Sequence, residues 1–202
     1  MPRLRAFHGG QWRDTPLRGA VDFDGQRLAF GPADEEPVTV NEFFTFPTPV
    51  NPDWADSNTN VACRFATTAP GDFIGVRYWR PPTYSPNGTV FGVNEDTGAV
   101  IANPVAEAVD GIRGAFVELL FAAPAPIVPG VNYLAAYHTS RYGFTRVTEG
   151  ATIPFLTEHL YTDPVSMAAV SKFRFGGELT GGAFSSAPNF HFNVSPIVRF
   201  TS

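Results

Sequence analysis

Between Phe65 and His138, apolar side chains recur at every second position, and glycine, proline and asparagine break the runs before any reaches helical length. Alternation at period two gives each face of an extended strand its own set of side chains, whereas a helix needs spacings of three and four. Many short strands joined by tight turns are the outcome that this pattern permits. Phe is abundant (19) and Met scarce (2), and 44% of the residues are hydrophobic, so the chain cannot be a disordered polymer. Sheet packed on sheet is the arrangement that buries so many rings. The expected fold class is all-β, an antiparallel β-sandwich with an N-terminal hairpin arm, and 202 residues suffice for one full core plus that arm.

The expected division is a hairpin arm over residues 1–40 and a sandwich over 41–202. The arm carries Arg3, Arg5, Arg13, Arg18 and Arg27, then an acidic patch at Asp34, Glu35 and Glu36. His8-Gly9-Gly10 and Asp24-Gly25 sit between alternating segments, and Asp-Gly in that setting is a strong hairpin signal. Phe7, Trp12, Phe23 and Phe30 are its candidate partner-docking residues. Next come Phe43, Phe44 and Phe46 among Pro47, Pro49 and Pro52, which reads as an edge segment or wrapped loop whose aromatics plug into the sandwich.

Strands are expected at 60–67 (Val61, Cys63, Phe65), 73–79, 89–93, 99–102, 116–121, 131–138, 172–175 and 189–200. Residues 73–79 are apolar on both faces, with Ile74, Val76 and Tyr78 opposing Phe73, Arg77 and Trp79, so this strand should be central. Residues 140–170 read as a long excursion with one short helix. No repeat of fixed length is visible.

A net charge of −5 with 14 Lys and Arg argues against a phosphate-tracking surface, so nucleic acid is not an expected partner. The opening Met-Pro-Arg-Leu-Arg lacks the ~7–15 apolar residues of a signal peptide, and no window reaches the ~18 needed for a membrane helix. Synthesis in the cytoplasm without membrane insertion is therefore expected, with any extracellular role reached by lysis. Cys63 cannot form an internal disulfide and reads as a buried, inert thiol.

Reactive constellations are not apparent. His8, His138, His159 and His191 are scattered, with no HExxH or CxxC spacing. His138 reads as a hydrogen-bonded histidine at a strand end. Ser195 has no Gly-x-Ser-x-Gly elbow, and the acidic pairs read as turns and solvated faces. No catalytic residues, metal or cofactor are expected, and the chain is expected not to be an enzyme. Loop aromatics offer a better clue, because sugar rings stack their C–H faces on flat side chains with polar groups alongside. The candidate carbohydrate-binding residues are Trp54, Trp79, Tyr84, Asn87 and Tyr142.

Gly71-Asp72-Phe73-Ile74-Gly75-Val76-Arg77-Tyr78-Trp79, then Gly88 to Phe91, Gly98 to Ile101, Gly114 to Leu119, Ala136-Tyr137-His138 and Asn189 to Val194 form a near-collinear pattern. It resembles a bacterial domain-of-unknown-function family of jelly-roll-like β-sandwich modules, found on secreted glycan-active and cell-surface proteins and in some phage proteins. The resemblance spans about residues 60 to 200 and departs from the family at Arg80-Pro81-Pro82 and Phe116. It implies a jelly-roll-like sandwich with no assigned activity. Separately, Phe7, Gly9, Gly10 and Trp12 look like short hairpins in minor tail proteins of phages that infect actinobacteria, although an ordinary hairpin with a cross-strand Phe7–Trp12 contact accounts for the same residues.

These readings converge on a non-enzymatic phage virion protein, a minor tail or tail-tip component. It would contact other virion proteins as a homo-oligomer within the particle and display a module for a host cell-surface glycan. A capsid decoration protein and a carbohydrate-binding module at a bacterial envelope are the alternatives.

Overall fold

The computed structural model describes residues 5–8, 11–14, 19–23, 26–30, 38–83, 88–108, 111–146, 156–162, 171–175, 183–187 and 190–201. Contacts divide the chain into two compact units, Met1–Val38 and Thr39–Ser202. In the first, β1 (Arg5–His8) pairs antiparallel with β2 (Gln11–Asp14), with Phe7 opposite Trp12. β3 (Gly19–Phe23) pairs with β4 (Gln26–Phe30) across the Asp24-Gly25 step, so both sequence-expected hairpins have their strands in register.

The second unit is an antiparallel β-sandwich. Its strands are β5 (Thr39–Glu42), β6 (Asn51–Thr67), β7 (Gly71–Arg80), β8 (Thr89–Asn94), β9 (Val100–Ala106) and β10 (Ala115–Ile127). There follow β11 (Tyr133–Arg146), β12 (Leu160–Tyr161), β13 (Ser171–Phe175), β14 (Ser185–Ser186), β15 (Phe190–Phe192) and β16 (Val194–Thr201). A four-stranded sheet in the order β10-β7-β16-β5 faces an eight-stranded sheet built on the path β14-β13-β6-β11-β8-β9, with β12 on β6 and β15 on β11.

Between the layers lie Val61, Cys63 and Phe65 of β6, Tyr133 and Tyr137 of β11, and Phe73, Val76 and Tyr78 of β7. Phe73 meets Phe65 edge-on at 5.1 Å and Phe121 at 5.0 Å. The outer face of the larger sheet is also covered at its centre, where Ala62, Phe91, Val93, Leu134 and Ala136 are fully buried with Phe184 packed on them. Strands buried on both faces read as continuous apolar runs.

Several sequence expectations need correction. Strict alternation puts Phe73 and Val76 on opposite faces of β7, yet both face the core. The register slips here, since Ile197 pairs with Gly75 but Val198 with Phe73. A one-residue bulge reverses the facing of everything beyond it, which a period-two reading cannot foresee. The expected strand at 60–67 begins instead at Asn51, so Trp54 belongs to a strand rather than to a wrapped loop. The irregular part shrinks to residues 43–50, where Phe44 and Phe46 plug into the core.

The run at 189–200 is two strands. β15 joins β11 in the larger sheet, β16 joins β7 in the smaller, and the chain changes layer at Asn193. Asn193 fixes the crossing by donating Nδ2–H to the Pro47 carbonyl and accepting the Trp79 N–H at its own carbonyl, both at 2.9 Å. No helix occurs among the described residues, including those within 140–170. The strand expected to stop at His138 continues to Arg146, and His138 lies mid-strand with Asn60 on one side and Thr89 on the other. Its Nδ1–H donates to Asn60 Oδ1 at 3.0 Å.

Candidate functional site

At one end of the larger sheet, β6, β11, β13 and β15 enclose an open cavity of about 190 Å³ walled by aromatic rings. Local irregularity creates it. β6 and β11 run in register from Phe65–Tyr133 to Thr59–Thr139, then slip, resuming at Ala55–Arg141 and Trp54–Tyr142. The slack is taken up near Asn58, whose φ of 42° is left-handed, a conformation that asparagine tolerates better than most residues. On the facing strand the Thr139 hydroxyl spans the slip, donating to the Arg141 carbonyl at 2.7 Å and accepting the Arg141 N–H at 3.0 Å.

Beyond this bulge Trp54 stands 48% exposed at the mouth. Its ring meets Phe144 edge-on at 5.5 Å, Phe144 meets Phe190 likewise at 5.2 Å, and Tyr142 meets Phe192 at 5.5 Å. Phe190 and Phe192 lie nearly parallel, 9° apart. Such edge-to-face contacts hold rings rigidly, each contributing ~0.5–1.5 kcal/mol beyond burial. Thr59, Phe173 and Arg146 complete the lining.

Polar groups are few. The Tyr142 hydroxyl donates to Asp56 Oδ2 at 3.2 Å, and burial together with that carboxylate raises the phenol above its usual range. Arg141 Nη1 reaches Asp53 Oδ1 at 2.8 Å. Burial alone would raise Asp53, but hydrogen bonds from Thr83 and Arg141 outweigh it and hold the carboxyl low. Thr59, only 1% exposed, has a hydroxyl with no hydrogen-bond partner among the described residues.

Of the sequence-derived candidates, Trp54 and Tyr142 come together here as a cross-strand pair. Trp79 does not reach the cavity. It is buried against Phe116 at 5.3 Å, with its indole N–H on the Pro52 carbonyl at 2.9 Å. Tyr84 and Asn87 lie outside the described residues, as do the side chains of Phe7, Trp12, Phe23 and Phe30. Sequence reasoning missed Thr59, Phe144, Arg146, Phe173, Phe190 and Phe192. Phe173, Phe190 and Phe192 read as ordinary strand alternation and Phe144 as part of the expected excursion at 140–170, and only their crowding near Trp54 sets them apart.

Two other clusters carry charge. Arg80 Nε lies 3.0 Å from Glu107 Oε2, with side chains 6% and 5% exposed. The Tyr78 and Tyr137 hydroxyls donate to the same carboxylate at 3.0 and 3.3 Å, their rings stacked at 4.2 Å. Burial, reinforced by Glu107, raises both phenols above their ordinary range, which keeps them as donors. A Cβ on Gly88 would fall 1.7 Å from Glu107 Oε1, so the approach of this carboxylate requires glycine there.

In the second cluster, Glu42, Glu158 and His159 bring ligand-type atoms within 4.8 Å of one another. Glu42, however, already accepts hydrogen bonds from the Thr157 hydroxyl, His159 Nδ1 and the His159 and Leu160 amides. That geometry ties the turn at 157–160 to β5.

Residues 45–187 match the family model described as Domain of unknown function (DUF4082), a span that includes the Trp54–Tyr142 pair. No curated protein matches the chain.

Proposed function

The chain belongs to the DUF4082 family, and from that premise we propose that its sandwich is a non-enzymatic binding module whose aromatic cavity takes a carbohydrate ring. The single observation that carries the reading is the cavity itself, with Trp54 half exposed at its mouth and rigid rings behind it. Flat aromatic walls with a few oriented polar groups suit the C–H faces of a sugar. At about 190 Å³ the cavity is smaller than a drug-sized site and suits one ring of a longer glycan.

The test is retention on bacterial cell-wall glycan. Trp54→Ala removes a half-exposed ring, so the thermal unfolding midpoint should stay near that of the parent while retention is lost. Undiminished retention, or no retention by the parent, would defeat the proposal.

A second reading places the module in a phage particle, as a tail or tail-tip component with capsid decoration as the variant. Support comes from Met1–Val38, which forms its own compact unit of two hairpins and offers strands for docking onto other virion proteins or further copies. Release with the particle at lysis would then bring the cavity to a host surface. Mass spectrometry of purified virions tests this, and absence of the polypeptide would end it.

A further inference from the structure

Aromatic walls alone do not distinguish one sugar from another, but two polar groups at this cavity do. Arg146 ends β11, is exposed and lines the cavity, and no ion pair or hydrogen bond engages its guanidinium among the described residues. Other arginines are already committed: Arg141, on the same strand, to Asp53 at 2.8 Å and, in the smaller sheet, Arg77 to Glu118 at 3.3 Å and Arg199 to Asp72 at 2.7 Å. An uncommitted guanidinium beside stacked rings, on a chain of net charge −5, is a planar fork suited to a carboxylate.

The second group is the buried Thr59 hydroxyl. A hydroxyl removed from water without a partner destabilises the free protein, and such groups in native structures call for an explanation. A ligand hydroxyl at the cavity floor supplies one.

Resting on the carbohydrate reading above, we infer that the cavity selects an acidic pyranose, a hexuronic acid residue, with Arg146 on its carboxylate, Thr59 on a ring hydroxyl and the aromatic walls on its C–H face.

The experiment titrates oligogalacturonate and oligoglucuronate, each beside its carboxyl-reduced neutral counterpart, into the full chain by calorimetry. The parent should bind at least one acidic form about tenfold or more tighter than its reduced form, a ratio that shrinks as salt rises. Arg146→Gln should bring that ratio close to one. Thr59→Val should weaken binding while raising the thermal unfolding midpoint, a combination that a purely structural threonine would not give. Equal affinity for acidic and reduced forms, or a ratio unchanged in Arg146→Gln, overturns the inference and leaves the carbohydrate reading standing. Loss of stability in Thr59→Val removes the role assigned to its hydroxyl. Cell-wall retention that depends on Trp54, with no binding of either uronate, overturns only the inference, whereas failure of all glycans defeats both.

Discussion

Glu42 Oε1 lies 2.6 Å from His159 Nδ1, although the two residues are 117 positions apart in the chain. A carboxylate can only accept, so the proton on that bond belongs to the imidazole, which also stacks on Phe200 at 4.6 Å. The contact secures edge strand β5 to the turn before β12. Glu42→Gln keeps the shape but removes the charge-assisted character of the bonds, and should destabilise the protein by about 1.5–3 kcal/mol in urea titration. A change near zero would show that the clasp is passive.

Acid sensitivity should fall into two windows. Burial lowers His191 to about 4, so between the ordinary histidine value near 6.5 and about 4 the unfolded chain binds more protons than the folded one. Stability is therefore intact above pH ~6.5 and declines toward pH ~4, by up to about 3 kcal/mol from this residue. His138, lowered by burial and then by Arg174, adds in the same sense. Glu42 acts further down: burial would raise it, but the bonds from Thr157 and His159 win and hold it low, so its contribution is lost only as pH falls through that depressed value. His191→Phe should shrink the upper window to the part that His138 contributes and leave the lower one, as read by pH-dependent denaturation.

Removing one partner of the Arg80–Glu107 pair should cost far more than removing both. Glu107→Leu takes the counter-charge from a buried guanidinium that keeps its bond to the Ala108 carbonyl, and the acceptor from two phenols, with an expected loss of about 3–5 kcal/mol by chemical denaturation. Arg80→Met combined with Glu107→Leu should recover part of this, the two tyrosine hydroxyls accounting for what remains. Equal losses in the single and double variants would mean that the ion pair itself is the source of stability.

Cys63 is 1% exposed, and burial pushes its thiol well above the usual range. A thiolate reagent should leave the native protein unlabelled at neutral pH and react stoichiometrically in denaturant. Native-state labelling at a rate tracking global unfolding is the expected outcome, whereas rapid labelling would reveal local opening between the sheets.

The parts of the fold legible in the sequence were those where one local rule governs. Residues 73–79 are apolar on both faces, and β7 lies between β10 and β16 with its core side chains fully buried. Val117, Leu119 and Phe121 turn toward the core while Glu118 points to solvent, as alternation demands. What could not be read depends on partners remote in the chain. The same period runs unbroken through Phe190–Phe200, so nothing local marks Asn193 as the point where the layer changes.

Trp54 and Trp79 pose the same difficulty at the candidate site. Both are tryptophans near prolines, and their fates diverge because Gly143 leaves room for one of them: a Cβ there would meet the Trp79 ring at 2.5 Å. Thr59 is silent in the sequence because an orphaned hydroxyl is a property of the packed state alone.

The layer change at Asn193 also bears on how the polypeptide acquires its form. β5 takes its register from β16, with Val198 opposite Glu42, and β16 also forms one flank of β7. During synthesis the smaller layer therefore waits, its second and fourth strands lacking their shared neighbour, until residues near 200 have left the ribosome. Contacts so distant in order slow assembly and leave β7 as a sticky template in the interval, so a nascent chain stalled before residue 194 should be the form that chaperones hold longest.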